Sequence, residues 1–233
     1  MYAINVLSNI PFFSGLEQHD LAELGTYLER RHYGKGDVIF HKDDEGSILY
    51  IITKGKVKVV LPSPQGEEII LTILTAGEII GELSFIDGRN RSATVEVLED
   101  TEVLYMRRKD FLHFLSTRFD VVLRVLGILT QRLRDTDVLM EEAYFLDITS
   151  RVARKILTLG RQFGIYEDRV IRIGVHVTQR DLASMVGATR ESVNKQLRLL
   201  RENGLITQED GFLKILDPVR LARRARTSLG SLT

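Results

Sequence analysis

The sequence predicts an α+β protein in three successive parts: an antiparallel β sandwich or barrel, a long helix, and a C-terminal group of helices that ends in a small hairpin. From about residue 30 to 107 the apolar runs are short, β-branched and interrupted by glycine, which is typical of antiparallel sheets. From 109 to 146 the chain has no proline and one glycine, and its apolar residues recur at helical spacing. From 148 onward shorter helical patterns precede a hairpin pattern.

Composition limits the classes of function. The 233 residues suffice for two domains with hydrophobic cores. No apolar run approaches the ~20 residues of a membrane span and no secretory leader is recognisable, so we expect a soluble, cytoplasmic protein. The absence of cysteine excludes disulfides, thiolate metal sites and cysteine-ligated iron–sulfur clusters. The five histidines stand at no metal-ligand spacing, so we predict no metal site.

The net charge of zero conceals an asymmetry between the two halves of the chain. Residues 148–233 hold 16 Lys and Arg against 8 Asp and Glu, a net charge of +8. Residues 1–147 hold 16 against 24, a net charge of −8. The basic half indicates contact with a polyanion such as DNA, although a basic face that is merely solvated gives the same count.

The elements of the first part begin with a short amphipathic helix over residues 16–29. Four leucines lie there close to helical spacing: Leu16, Leu21, Leu24 and Leu28. The strands that follow are expected to be separated by turn residues. These are Gly36, Gly46, Gly55, Pro62-Ser63-Pro64, Gly77 and Gly88.

The long helix carries an apolar seam at heptad spacing. Its members follow one another at intervals of 4, 3, 4, 3, 4 and 3 and are Val122, Leu126, Leu129, Leu133, Thr136, Met140 and Ala143. A narrow a/d seam with polar flanks is typical of a parallel two-stranded coiled coil. A helix packed on its own domain core usually shows a wider apolar stripe. We therefore predict a homodimer with Val122, Leu126, Leu129, Leu133 and Met140 in the seam.

Residues 178–197 show the pattern of a helix-turn-helix. Thr178 and Asp181 are spaced as a capping box, Gly187 permits a tight turn, and Thr189 is placed to cap a second helix. In known complexes of this motif the first turns of the second helix enter the major groove of DNA. The segments 204–206 and 211–215 then form a wing hairpin.

The start of the second helix carries side chains that read bases. Arg190 can grip guanine bidentately and Glu191 can accept from the cytosine amino group. The alternative is a solvated surface helix with a Glu191–Lys195 ion pair. The predicted DNA contacts are Thr178, Gln179, Thr189, Arg190, Glu191, Ser192, Asn194 and Lys195.

Residues 81–95 bring together groups suited to a small anion that carries a phosphate and a hydroxyl. Arg91 can fork onto phosphate oxygens, Ser92 can donate to the same phosphate, and Glu82 can accept from a sugar hydroxyl. Gly81 allows close backbone approach, so that a following amide can face the anion. The alternative is an ordinary Glu82–Arg91 ion pair on a loop. The predicted ligand contacts in this segment are Gly81, Glu82, Leu83, Ser84, Arg91 and Ser92.

This segment resembles the phosphate-binding cassette of cyclic-nucleotide-binding domains. From about residue 10 to its C-terminus the chain resembles the catabolite activator protein (cAMP receptor protein) family of bacterial transcription regulators, with the jelly-roll signatures at residues 36–40 and 50–59. The resemblance implies a cyclic-nucleotide-binding β jelly roll over 1–116, a dimerisation helix and hinge over 117–146, and a winged helix-turn-helix over 147–233.

The resemblance also implies roles for single residues. Thr136 is similar to a threonine that hydrogen-bonds adenine beside the dimer axis, and Arg132 to an arginine near phosphate and ribose. Asp137 stands where close relatives carry serine, and its carboxylate suits either an adenine amino group or a guanine edge. The triplet Arg91-Ser92-Ala93 resembles cAMP-type cassettes, so cAMP is expected over cGMP. Lys195 stands where founding members have arginine, so discrimination at its base is expected to be weaker.

Arg91 is the residue on which ligand binding is expected to depend most. Its guanidinium makes a charge-assisted contact with phosphate. No role in core packing is assigned to it. Arg91→Ala is therefore expected to abolish binding and leave the dimer folded, and Glu82→Ala to weaken binding through the ribose.

These observations predict an allosteric, ligand-gated DNA-binding transcription regulator with cAMP as its ligand and no other cofactor. Its homodimer is expected to bind palindromic double-stranded DNA with GTG-type half-sites and to work with RNA polymerase, with no membrane partner. Other ligands (2-oxoglutarate, c-di-GMP, haem) and ligand-independent action stay open. An enzyme with a regulatory nucleotide domain is the remote alternative, because residues 148–233 are too few for a typical catalytic domain and offer no nucleophile–base pair.

Overall fold

The computed structural model describes residues 7, 8, 10, 13, 16–116, 118–167 and 170–226. The chain divides into two compact units, Met1–Leu133 and Arg134–Thr233. This division falls inside the long helix, whereas the predicted domain boundaries lie at its two ends. Parts of the predicted first and last domains, including residues 227–233, lie outside the described residues. No helix in the described part of the chain is long and apolar enough to cross a bilayer.

An antiparallel sheet forms most of the first unit, as the glycine-punctuated apolar runs predict. Its strands are β1 (Glu29–Tyr33), β2 (Val38–Phe40), β3 (Ile48–Pro62), β4 (Glu68–Thr75), β5 (Ile79–Ile80) and β6 (Thr94–Arg107). The order is β1-β6-β3-β4, with β2 paired to β6 and β5 paired to β3. All of these pairs are antiparallel. The predicted strand region is therefore confirmed.

The long strand β3 corrects one predicted turn. The chain does not reverse at Gly55 but continues through it, and the register with β6 shifts on both sides of this residue. Gly55 has a φ of +92°, and a Cβ there would lie 2.4 Å from Thr101 Oγ1. Such irregularities bend a strand and increase its twist. Gly55 is thus a bend within one strand and not a boundary between two.

Strand β3 also supplies side chains to two hydrophobic clusters. Leu49 and Ile51 belong to one cluster, which includes buried residues of the helices, and Tyr50 and Ile52 belong to the other. The alternation follows from the two-residue period of a strand, which sends successive side chains to opposite faces. Both faces of β3 are therefore covered, and its backbone is a rigid support for whatever contacts it.

The helices of the first unit are α1 (Gln18–Thr26), α2 (Glu82–Asp87), α3 (Arg108–Leu115) and the first part of α4 (Phe119–Phe145). The predicted first helix is confirmed around its buried Leu21 and Leu24, but both predicted bounds, 16 and 29, are wrong, so Leu16 precedes the helix. Helix α1 ends at Thr26 because the chain must extend to enter β1 at Glu29. Leu28 therefore lies outside the helix.

The predicted helical region from 109 to 146 consists of two helices. Helix α3 ends at Leu115, and the N–H of the following Ser116 donates to carbonyls of the last turn. After α3, Arg118 Nη2 lies 2.6 Å from both Asp20 Oδ1 and Glu23 Oε2 of α1. The guanidinium carbon of Arg118 also lies 4.3 Å from the centre of the Phe114 ring. These contacts between residues almost a hundred positions apart hold the break in place. Periodicity alone does not reveal such a break, because the apolar pattern continues across it.

The second unit contains the last part of α4 and a small helical domain with its own sheet. Its further elements are α5 (Ile148–Gln162), β7 (Gly164–Glu167), β8 (Val170–Ile173), α6 (Gln179–Val186), α7 (Arg190–Glu202), β9 (Ile206–Glu209), β10 (Phe212–Ile215) and α8 (Pro218–Arg224). The sheet order is β7-β8-β10-β9. The predicted wing is confirmed as β9–β10. The hairpin β7–β8 was not predicted, because only helical patterns were recognised between residue 148 and the wing.

Candidate functional site

Gly81 marks the start of the cassette, between β5 and α2. Its φ of +84° lies in the left-handed region, which suits glycine. A Cβ at this position would lie 2.3 Å from Arg91 Nη1 and 3.1 Å from the Ile48 carbonyl oxygen. Glycine is required here for the backbone conformation and for the space that the arginine occupies.

Arg91 is buried, with its guanidinium held by groups of the protein. Nη1 donates to Ser84 Oγ at 2.8 Å and to the Gly81 carbonyl at 3.0 Å, and Nη2 donates to the Ile48 carbonyl at 2.7 Å. Its Nε is buried and has no hydrogen-bond partner among the described residues. Burial lowers the pKa of Arg91, and the neighbouring Tyr50 and Glu82 oppose this effect. The expectation that Arg91 plays no part in packing is wrong.

Glu82 is also buried, and Arg132 reaches it from α4. Arg132 Nη1 donates to Glu82 Oε1, and Nη2 donates to the Ile79 carbonyl at 2.6 Å. Glu82 Oε2 is buried without a partner in the described structure. A buried polar atom without a hydrogen bond is costly and is usually satisfied by water or a ligand. The cassette therefore presents one such acceptor on Glu82 and one such donor on Arg91.

The other predicted ligand contacts of the cassette differ in how far their side chains are buried. Ser84 is buried, and its hydroxyl bonds the Gly81 carbonyl at 3.3 Å besides accepting from Arg91. Leu83 and Ser92 are exposed. Ser84 thus supports Arg91 through its side chain, and Ser92 offers an accessible hydroxyl next to the buried arginine.

Two aromatic residues that the sequence reasoning missed form a wall beside Arg91. The guanidinium carbon lies 4.2 Å from the Phe40 ring centre and 5.9 Å from that of Tyr50. Burial raises the pKa of Tyr50 to about 12. A cation over an aromatic face is stabilised electrostatically. Both residues lie in the strand signatures at 36–40 and 50–59, but their contact with Arg91 is not visible in the sequence, because it joins residues of separate elements.

Arg108 is a further missed residue, at the other end of α2. Its Nε donates to the Phe85 carbonyl at 2.5 Å and its Nη2 to the Ile86 carbonyl at 2.9 Å. A cation near the C-terminus of a helix satisfies the last carbonyls. Arg91 and Arg108 therefore hold the two ends of the cassette helix.

Helix α4 presents an apolar surface in the single chain. Leu126, Leu133 and Met140 of the predicted seam are 51%, 63% and 57% exposed. Leu129 is partly buried and packs against the first unit's own core, where Val121 and Val125 are buried. The exposed apolar set is broader than the predicted narrow seam with polar flanks, because it also includes Phe119, Leu123, Val138, Tyr144 and Phe145.

Thr136 and Asp137 are both exposed on the part of α4 that belongs to the second unit. Arg132 belongs to the first unit, where it contacts Glu82. The roles of Thr136 and Asp137 at a nucleotide base therefore stay predictions that depend on the resemblance.

The helix-turn-helix has the predicted caps. Thr178 Oγ1 accepts from the Asp181 N–H at 3.0 Å, and the Asp181 carboxylate accepts from the Thr178 N–H at 2.9 Å, which completes the capping box. Gly187 ends α6 with a φ of +59°. Thr189 Oγ1 accepts from the Ser192 N–H at 3.2 Å at the start of α7. These local bonds confirm the predicted helix–turn–helix boundaries.

Helix α7 presents its first turns to solvent. Arg190, Glu191 and Lys195 are exposed there. Asn194 differs, because it is partly buried and its Oδ1 is buried with no hydrogen-bond partner among the residues that the structure describes. Further exposed arginines lie on α8, namely Arg220, Arg223 and Arg224.

Two family models match these regions of the chain. The cyclic nucleotide-binding domain matches residues 30–118, which contain the sheet and the cassette. The Crp-like helix-turn-helix domain matches residues 150–224, which contain most of α5 and all of α6, α7 and α8. Together the two matches cover more than half of the chain.

Similar proteins are found among curated sequences and solved structures. A CRP-like cAMP-activated global transcriptional regulator of Mycobacterium tuberculosis is 34% identical over 95% of this chain and 99% of its own length. The cyclic AMP receptor protein of Thermus thermophilus is 32% identical over 91% and 94%. The structure of the c-di-GMP responsive global regulator CLP of Xanthomonas campestris aligns with a TM-score of 0.76 and 22% identity over 85% and 99%. At that identity, the last comparison shows the fold alone.

Proposed function

The chain belongs to the CRP family of transcriptional regulators, which bind DNA and cyclic nucleotides and act as dimers, and on this premise we propose that cAMP gates its binding to a palindromic promoter site. The homologues are regulators and not enzymes. The ligand contacts proposed are those of the cassette together with Arg132, Thr136 and Asp137, and the DNA contacts are those of α6 and α7.

The observation that carries the ligand proposal is a pair of buried cassette atoms that have no hydrogen-bond partner in the described part of the chain. Arg91 Nε is a donor suited to a phosphate oxygen, and Glu82 Oε2 is an acceptor suited to a ribose hydroxyl. A cyclic nucleotide carries both groups on one rigid ring system. The exposed Ser92 hydroxyl adds a second phosphate donor. The two cAMP-related relatives support cAMP as the nucleotide.

The DNA proposal depends on the exposed start of α7. Arg190 and Glu191 are suited to the two bases of a G·C pair, and the short side chains of Ser192 and Thr189 leave the backbone able to approach the groove. The basic helix α8 offers phosphate contacts. The half-sites proposed contain GTG, and RNA polymerase is the proposed protein partner at the promoter.

Gating requires two arrangements of the dimer that the ligand distinguishes. Half-sites one helical turn apart lie about 34–36 Å apart, so the two recognition helices must take that spacing. Ligand bound to the cassette, Arg132 and Thr136 favours the arrangement with this spacing. Such coupling typically amounts to about 1–3 kcal/mol. The proposal is tested by titrating a labelled GTG palindrome with the full chain, with and without cAMP. The affinity for the DNA should be about 5- to 150-fold higher with cAMP. An equal affinity in both titrations would contradict gating by this ligand.

The ligand preference gives a first prediction. The wild type is expected to bind cAMP more tightly than cGMP, and Asp137→Ser to retain that order, with phosphate binding unaffected. Calorimetric titration of both nucleotides, and of c-di-GMP in view of the Xanthomonas neighbour, measures this. A cGMP preference in the wild type that reverses in Asp137→Ser would mean that Asp137 selects a guanine edge. If c-di-GMP bound tightly and neither cAMP nor cGMP did, the proposal that the ligand is a cyclic mononucleotide would be wrong.

The dimer gives a second prediction. Leu133→Asp is expected to weaken self-association by roughly 100-fold or more, because it places two carboxylates in an apolar seam. Val138→Asp is the matched control, since Val138 is an exposed apolar residue of the same helix at a heptad position opposite the seam. Sedimentation equilibrium measures both variants. Equal dissociation of the two would show that the seam is wrongly assigned.

A further inference from the structure

The inner face of the recognition helix α7 contains one polar residue among apolar ones. Val193, Leu197 and Leu200 are buried at the i, i+4 and i+7 positions of one helical face. Gln196 occupies the i+3 position of the same face and is also buried. An amide in such a place costs free energy unless it has a hydrogen-bond partner. The role of Gln196 in the fold therefore depends on its hydrogen-bond partner.

That partner lies in the first turn of α5. The Thr149 hydroxyl donates to Gln196 Oε1 at 2.8 Å. The turn itself is held by Asp147, which accepts from the Ser150 N–H at 2.8 Å and pairs with Arg226 at 3.0 Å. Gln196 thus bonds to a turn whose own position is fixed.

The same turn of α5 also holds the other helix of the motif. Arg151 Nη1 donates to the Val186 carbonyl at 2.7 Å, at the end of α6 and immediately before the Gly187 turn. A guanidinium at a helix C-terminus satisfies the last carbonyls and interacts favourably with the helix dipole. One turn of α5 is therefore attached by side-chain hydrogen bonds to both helices of the helix-turn-helix.

We propose that Thr149 and Gln196 are positioning residues for DNA sequence recognition, whose hydrogen bond sets the rotation of α7 on α5. Apolar packing is non-directional, whereas a hydrogen bond weakens steeply when its angle changes. A small rotation of α7 would displace Arg190 and Glu191 from the base edges, while flexible contacts to phosphates persist. The inference rests on the proposed role of α7 in reading DNA.

The test uses substitutions that change the hydroxyl of Thr149 with little change in shape. Thr149→Val removes the donor, and Thr149→Ser retains it. Thr158→Val is the matched control, because the Thr158 hydroxyl bonds the Arg154 carbonyl within α5. Each full-length variant, with saturating cAMP, is titrated against a GTG palindrome and an unrelated duplex, and its unfolding midpoint is measured.

Thr149→Val is expected to lower the affinity for the palindrome relative to the unrelated duplex by about five- to tenfold, the effect of losing one hydrogen bond. The affinity for the unrelated duplex itself should not change. Thr149→Ser and Thr158→Val should keep the wild-type ratio. Gln196→Met should cause the same loss, and the double variant with Thr149→Val no further loss. Equal weakening on both duplexes, or a lower midpoint with an intact ratio, would show a structural role only. A wild type without sequence preference would instead overturn the proposed function, and this inference with it.

Discussion

Replacing Arg91 by alanine is expected to reduce cAMP affinity by at least ~100-fold, because a charge-assisted contact to phosphate is lost. The same change should lower the free energy of unfolding without ligand by roughly 2–4 kcal/mol, since it removes the Arg91 donors from the part-buried Ile48 and Gly81 carbonyls. The cation over Phe40 is lost as well. The expected loss of stability differs from the expectation from sequence, which was that Arg91→Ala would leave the fold unaffected.

Three variants separate the two effects of Arg91. Arg91→Lys keeps the charge but loses the planar fork, so it should recover part of the stability and little of the affinity. Glu82→Ala should weaken binding through the ribose and keep the phosphate contact. Arg89→Ala is the matched control, because Arg89 lies in the same loop with its side chain 86% exposed. Calorimetric titration gives the affinities and thermal unfolding gives the stabilities. Wild-type cAMP affinity in Arg91→Ala would eliminate the cassette as the ligand site.

Replacing Arg190 by alanine is expected to cost roughly 1–3 kcal/mol at the cognate DNA site and to relax the requirement at one base pair. The reason is that a bidentate contact to guanine is lost, and the remaining contacts do not discriminate that pair. Arg190 is exposed at the start of α7 and the Thr189 cap orients this first turn, so the change should leave stability near that of the wild type.

Arg223→Ala and Arg224→Ala are the matched controls for Arg190, since they remove the same charge from the exposed part of α8. They should weaken all duplexes alike and flatten the dependence of affinity on salt concentration. Binding of each variant to the palindrome and to its single-base variants at two salt concentrations distinguishes the two behaviours. Uniform loss across every duplex in Arg190→Ala would make Arg190 a phosphate anchor and refute its assignment to a base.

Features that depend on neighbouring residues could be predicted from the sequence alone. The capping box of Thr178 and Asp181, the turn at Gly187 and the strand region up to Arg107 arise from local backbone preferences. The charge asymmetry and the cassette residues are likewise properties of composition and spacing. These observations sufficed to predict the fold class, and the resemblance of the cassette and the strand signatures to known regulators implied the family.

Only the tertiary structure decided what depends on residues far apart in sequence. Arg91 bonds a carbonyl 43 positions away, Arg118 at the junction of α3 and α4 bonds carboxylates more than 90 positions away, and Gln196 bonds a threonine 47 positions away. No local spacing encodes such contacts, because they form only when separate elements pack. A buried polar side chain is therefore the point at which sequence reasoning stops, since its cost is visible in the pattern and its partner is not.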